Sequence, residues 1–311
     1  MKPFCAFAAG AAFLLAPFFA TPAAAQAPSP VAKMNAYVGC INRISARAFD
    51  SRKRYFSWAA KSGPTGREHI IYGLYTIYDT SDCRKNVERA NAMEPHDAAL
   101  EAAATAFAEA AGKLEPLLKE ADDYYEQQNY KDDKMAKGKA LHPQLVAAWD
   151  AFERADHTLR GEVEAINDRR ALANLAEIEQ KEGKQARYHV EALMIGAKRI
   201  LRTVDTDKPD VGAMTQAIAD YEAVIKGAEA FGGGGALARD KIGSFFMSNA
   251  KSYLVTAKQL MRRLRDKVPY SAGDKMMLGN AGSGWMVEGS PPRLLRDYNQ
   301  LVDAYNRGAN I

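Results

Sequence analysis

LEAAATAFAEAAGKLEPLLKEADDYY, residues 100–125, decides the fold class. Leu100, Ala104, Phe107, Ala111, Leu114, Leu118, Ala121 and Tyr125 recur in alternating steps of four and three, which align on one face of an α-helix as a heptad seam. The small residues in the seam let a neighbouring helix approach closely. Pro116 lies inside it and predicts a kink, because proline removes an intrahelical hydrogen bond. The seam can be covered within the chain or by a second copy of it, so an assembly role stays open.

Moving toward the N-terminus, Ile70–Tyr78 (IIYGLYTIY) mixes aromatic and β-branched residues. It suits a strand or a buried helical turn; a helix is expected, because no second strand is evident nearby. SGPTG at 62–66 is turn chemistry. Before it, Met34, Tyr37, Val38, Ile41, Ile44, Ala48 and Tyr55 again follow helical spacing, with Arg43, Arg47, Arg52, Lys53 and Arg54 on the other face. Those cations are expected to form a solvated face rather than a binding patch.

Moving toward the C-terminus, EQQNYKDDK marks a hairpin tip, and a long helical signal runs from about Met135 to Val204. Leu145, Trp149, Phe152, Leu159, Val163 and Ile166 carry it, and Leu172, Leu175 and Ile178 resume it. Gly183 is the expected break, since glycine disfavours a helix interior by about 1 kcal/mol relative to alanine. Further helices are expected from Val211 to Gly232 and from about Leu237 to Lys267. The basic tail of the latter is expected to complement the helix dipole, with membrane or partner binding as the alternative. The Gly-rich stretch from Pro269 to Gly289, containing Trp285, reads as a long loop of the kind that is functional or mobile. Ser290 and Pro291 then supply the N-cap and first position of a final amphipathic helix carrying Leu294, Leu295, Tyr298, Leu301, Val302 and Tyr305.

The first 25 residues read as a secretory signal peptide: Lys2, an apolar run, then small residues at Ala23 and Ala25 that fit cleavage before Gln26. A Pro-rich tether at 26–33 follows, then a single helical domain at 34–311. The protein is therefore expected to be periplasmic or secreted, with no transmembrane helix once the leader is cut; retention of the leader as an anchor is the alternative. Cys5 precedes the apolar run, so it cannot be the lipidated first residue of a mature lipoprotein. Cys40 and Cys83 remain as an even pair in an oxidising compartment and are expected to bond. The loop they close is worth about 4 kcal/mol in the chain-entropy account. Lys and Arg number 42 against 38 Asp and Glu, a net formal charge of +4. That near balance predicts no obligatory nucleic-acid or anionic-membrane partner.

No motif in the chain names a reaction or a cofactor. None of the five histidines stands in H-E-x-x-H or has a carboxylate three residues away. No G-x-S-x-G occurs. Gly232–Gly235 lacks the G-K-[ST] ending of a phosphate loop, and GNAGSG at 279–284 has the wrong order for a dinucleotide fingerprint. An enzyme or metal site assembled between helices would have to draw on His157, His189, Glu153 and Glu191. Tyrosine is abundant, at 14, with three tryptophans. Such residues line sugar or peptide grooves, but helical core packing uses them as well.

KMNAYVGCINR at 33–43, RYFSW at 54–58 and SPPRLLRDYNQLVDAYN at 290–306 together resemble the YiiG-like family, domain-of-unknown-function family 3829. Its members are bacterial envelope proteins, many of them lipoproteins. This leader departs from them by ending in AAAQ rather than at a lipidated cysteine. The resemblance implies a mostly helical fold and brings no reaction.

The expectation is an all-α protein: an elongated antiparallel bundle of about six to eight helices, with a Gly-rich loop before the last. Its expected role is non-enzymatic binding or structure in the cell envelope, with an envelope protein or a small ligand as partner. Asn42, Trp58, Trp285, Tyr298 and Asn299 are the candidate ligand contacts, with Asn35 and Arg43 open beside Asn42.

Overall fold

The structure, a computed structural model, describes residues 30–204, 209–232, 242–280 and 282–308. The leader, the Asp205–Lys208 stretch and the onset of the helix expected at Leu237 lie outside the described residues. Nine α-helices and no β-strand occur among them: α1 (Pro30–Phe56), α2 (Thr80–Asn91), α3 (Ala98–Glu126), α4 (Ala136–Glu182), α5 (Ala186–Arg202), α6 (Val211–Gly232), α7 (Ser244–Arg265), α8 (Ala272–Leu278) and α9 (Pro291–Gly308). The protein is all-α, as the periodicity predicts. It divides into two compact units, one up to Arg160 and one from Gly161.

In the first unit every residue of the 100–125 seam is buried, on a helix that runs through Pro116 unbroken. The chain covers the seam itself. Helix α2 packs on α3 and on α1, and the Phe107 ring meets Phe152 of α4 at 5.3 Å. Cys40 and Cys83 form the disulfide that joins α1 to α2. Asp156 is buried on α4, where it accepts hydrogen bonds from the Ser45 hydroxyl of α1 and, at 2.8 Å, from Arg160 Nε one turn on. These partners offset the cost of burying a carboxylate.

Ile70–Tyr78 is neither helix nor strand. It needs no partner strand, because side chains of α1 and α3 satisfy its backbone. Glu126 and Asp122 accept from the amides of Gly73 and Leu74 at 3.0 and 2.9 Å. Arg54 and Arg47 donate to the carbonyls of Gly73 and Thr76 at 2.7 and 3.3 Å. Arg54 also lies over the rings of Tyr72 and Tyr75, both at 4.8 Å, and Arg47 over Tyr75 at 4.3 Å. The basic face of α1 is thus occupied rather than simply solvated: two of its five cations grip this strap, and Arg52 pairs with Asp150 and Glu153, each at 2.7 Å.

In the second unit the core is built from one face each of α5, α6, α7 and α9, with Leu193, Tyr221, Phe246, Tyr253, Leu294 and Leu301 at its centre. Tyr253 donates to the Ala197 carbonyl at 2.8 Å, so its buried hydroxyl is satisfied. Asp297 mirrors Asp156: it is buried, accepts from the Thr256 hydroxyl and pairs with Arg293 one turn earlier at 3.6 Å. Gly183, at φ 74°, separates α4 from α5 as expected, a conformation in which a Cβ would be strained. Leu172 departs from the rhythm expected of α4: it is exposed, as are the neighbours on either side of it except Ala171.

The stretch from Pro269 to Gly289 is not a plain loop. Ser271 and Asp274 make a reciprocal capping box that starts α8. Ser290 does cap α9, its hydroxyl accepting from the Arg293 amide at 3.3 Å.

Candidate functional site

The five candidate contacts fall in both units. Asn42 is exposed on α1 in the first, along with Asn35 and Arg43. Trp58 is half-buried there, its ring edge-on to Tyr55 at 5.2 Å and to Tyr125 at 4.9 Å. Tyr55 sits at the middle of a ring cluster that includes Trp149 at 5.5 Å, and its hydroxyl contacts His142 Nδ1 at 2.9 Å. Burial pushes the Tyr55 phenol up to about 12 and raises Tyr125 further, so both stay neutral. Trp58 Nε1, Trp149 Nε1 and the Tyr125 hydroxyl are buried without a hydrogen-bond partner. This cluster locks α1, α3 and α4 together. Trp58 is held in this packing, with part of the residue still accessible.

The residues considered for an assembled metal site are each engaged elsewhere or stand apart. Glu153 accepts from Arg52, and Glu191 accepts from the Tyr305 hydroxyl at 2.8 Å. His189 is buried with its ring 5.2 Å from that of Phe231, and burial holds its pKa below the usual histidine value. His157 is exposed on α4. Among the described residues, no group of three or more His, Cys, Asp or Glu is placed to hold a metal ion.

Trp285, Tyr298 and Asn299 lie in the second unit. Tyr298 packs on the core against Tyr253 at 6.0 Å, and Asn299 is exposed. Trp285 belongs to an end surface made by the C-terminus of α7, α8, a 3-10 turn at Gly284–Met286 and the start of α9. Arg263 anchors that surface. Its guanidinium lies 4.5 Å over the Tyr270 ring and donates to the Pro269 carbonyl at 3.2 Å. Tyr270 donates to the Gly289 carbonyl at 3.1 Å. Gly289 has φ 63°, and a Cβ there would meet the Gln259 carbonyl oxygen at 3.2 Å, so this crossing requires glycine. The Ser283 hydroxyl donates to Met277 O at 3.1 Å, Trp285 Nε1 donates to Gly282 O at 3.1 Å, and Arg296 lies 4.0 Å over the Trp285 ring.

This scaffold presents apolar side chains to solvent. Helix α8 has no buried residue. Met276 is 76% exposed, Met286 51%, Val268 50% and Leu295 48%. Leu295, expected on the buried face of the last helix, lies outward while Leu294 takes the core position. The sequence does carry a signal for this surface. Two adjacent methionines and a further Met follow polar, Gly-rich spacing with no periodic partner, so no helix core accounts for them. Arg262, Lys267 and Lys275 are exposed around them.

A family model described as "Protein of unknown function (DUF3829)" matches residues 29–307. The chain is 39% identical over 278 residues to "Uncharacterized protein YiiG" of Escherichia coli (strain K12), an alignment that covers 88% of this chain and 78% of that relative. No solved structure matches the chain.

Proposed function

Because the chain belongs to the DUF3829 family and turns an apolar surface to solvent in its second unit, we propose that it is an exported, non-catalytic component of the cell envelope that works by docking through that surface. The observation that carries this reading is the exposure of Met276, Met286, Val268 and Leu295 on the end built by the C-terminus of α7, α8 and the start of α9; Phe245 and Val255 are exposed on α7 as well. Exposed apolar side chains gathered on one end and rimmed by polar ones are the kind of surface that marks an interaction site. Export rests on the leader at 1–25, with the mature chain starting at Gln26. No helix among the described residues is long and apolar enough to cross a membrane.

The test is site-specific photo-crosslinking in cells. A photoreactive side chain at Met276 is expected to give an adduct in the envelope fraction, and one at exposed Glu109 in the first unit is expected to give none. Absence of any adduct from position 276, with protein and lipid both assayed, overturns the docking role. Mass spectrometry of the same material checks export: an intact leader on cytoplasmic protein would refute it.

A further inference from the structure

Resting on that docking reading, we infer that the partner of the 262–297 surface is an anionic lipid bilayer, met in its interfacial layer. Charge complementarity supplies the argument. Between Arg262 and Asp297 seven Lys and Arg stand against four Asp and Glu, which concentrates three of the chain's four net positive charges in 36 residues. Asp266 bonds Arg265 at 2.8 Å and buried Asp297 is paired with Arg293, each pair removing one acid and one base and leaving the excess of three unchanged, while Glu288 is exposed. Arg262, Lys267 and Lys275 remain exposed beside the apolar side chains.

The apolar residues suit the same partner. Methionine and leucine on a short helix with no buried residue enter the headgroup and acyl boundary readily, and a half-buried tryptophan stacked under Arg296 has the amphipathic character favoured at that depth. Each basic residue near an anionic surface adds attraction that falls off within a Debye length, so binding here is salt-sensitive.

The experiment is co-sedimentation of the full mature chain with vesicles of phosphatidylglycerol and phosphatidylethanolamine, compared with phosphatidylcholine alone. Binding is expected to the anionic vesicles and to fall steeply as salt rises. Replacing both lysines, Lys267→Gln with Lys275→Gln, is expected to weaken it roughly thirty-fold. Met276→Asp with Met286→Asp is expected to abolish it, and neither pair should alter the helical circular dichroism, because all four side chains are exposed. No binding to anionic vesicles, or equal binding by both double variants, overturns the inference. A protein adduct at position 276 without vesicle binding refutes the lipid partner while leaving the docking reading intact. Loss of both signals refutes the two together.

Discussion

Lys33 is a buried cation whose ammonium donates to the carbonyls of Met93 and Pro95, at 2.8 and 2.9 Å, and to the Glu101 carboxylate. The hydrogen bond from Lys33, helped by those from His96 and the Asp97 amide, outweighs burial and holds Glu101 down to about 2, from an ordinary 4.5. A carboxylate depressed in the folded state contributes stability that is complete above its unfolded pKa and is lost as pH falls through the folded one. Glu101→Gln is therefore expected to cost roughly 1–3 kcal/mol at neutral pH. The gap between wild type and variant should close between pH 4.5 and about 2, as read by urea unfolding at a series of pH values. An equal gap at pH 2 and pH 7 would assign the loss to packing instead. None of this is legible in the sequence: Lys33 sits at the end of a Pro-rich stretch, and the two carbonyls it needs are 60 and 62 residues away. The Cys40–Cys83 pair was legible, because two cysteines left behind an expected leader call for a bond without knowledge of geometry.

At the scale of single elements, what could be read depended on whether an element's partners repeat. The α3 seam was legible because burial repeats every three or four residues and needs no particular neighbour. The Ile70–Tyr78 strap was not, because its conformation is set by four side chains on two helices, Arg47 and Arg54 before it and Asp122 and Glu126 after it. Composition suited a strand or a buried helical turn, and the helix expected for want of a second strand did not form. Arg54→Ala removes one carbonyl partner and two ring contacts from the strap. It is expected to destabilise the first unit by about 1–3 kcal/mol. Limited proteolysis should show faster cutting within Ile70–Tyr78 while helix content is unchanged; unchanged cutting would mean that Asp122 and Glu126 suffice. The same contrast explains α8. Its capping box was present in the sequence as Ser271 and Asp274, but seven residues are too few for periodicity to register.

For the whole molecule, the division into two units makes a thermodynamic statement about the disulfide. Both cysteines lie in the first unit, so the linkage restricts the unfolded ensemble of that unit. Cys40→Ser with Cys83→Ser is expected to lower its stability by about 4 kcal/mol. In hydrogen exchange, protection should fall in α1 and α2 and stay unchanged in the core of α5, α6, α7 and α9; a uniform loss would show that the units unfold as one. Helical class was legible from the spacing of apolar residues along nearly the whole chain. The place where packing divides was not, since a single helix, α4, runs from Ala136 through Arg160 and on to Glu182. That shared helix has a genetic consequence. A break at 160/161 would cut a helix in mid-course and strand about four carbonyls on one fragment and four amides on the other. The two units are therefore joined in inheritance, and a recombination event that shuffled one of them alone would have to bring along, or rebuild, half of a helix belonging to its neighbour.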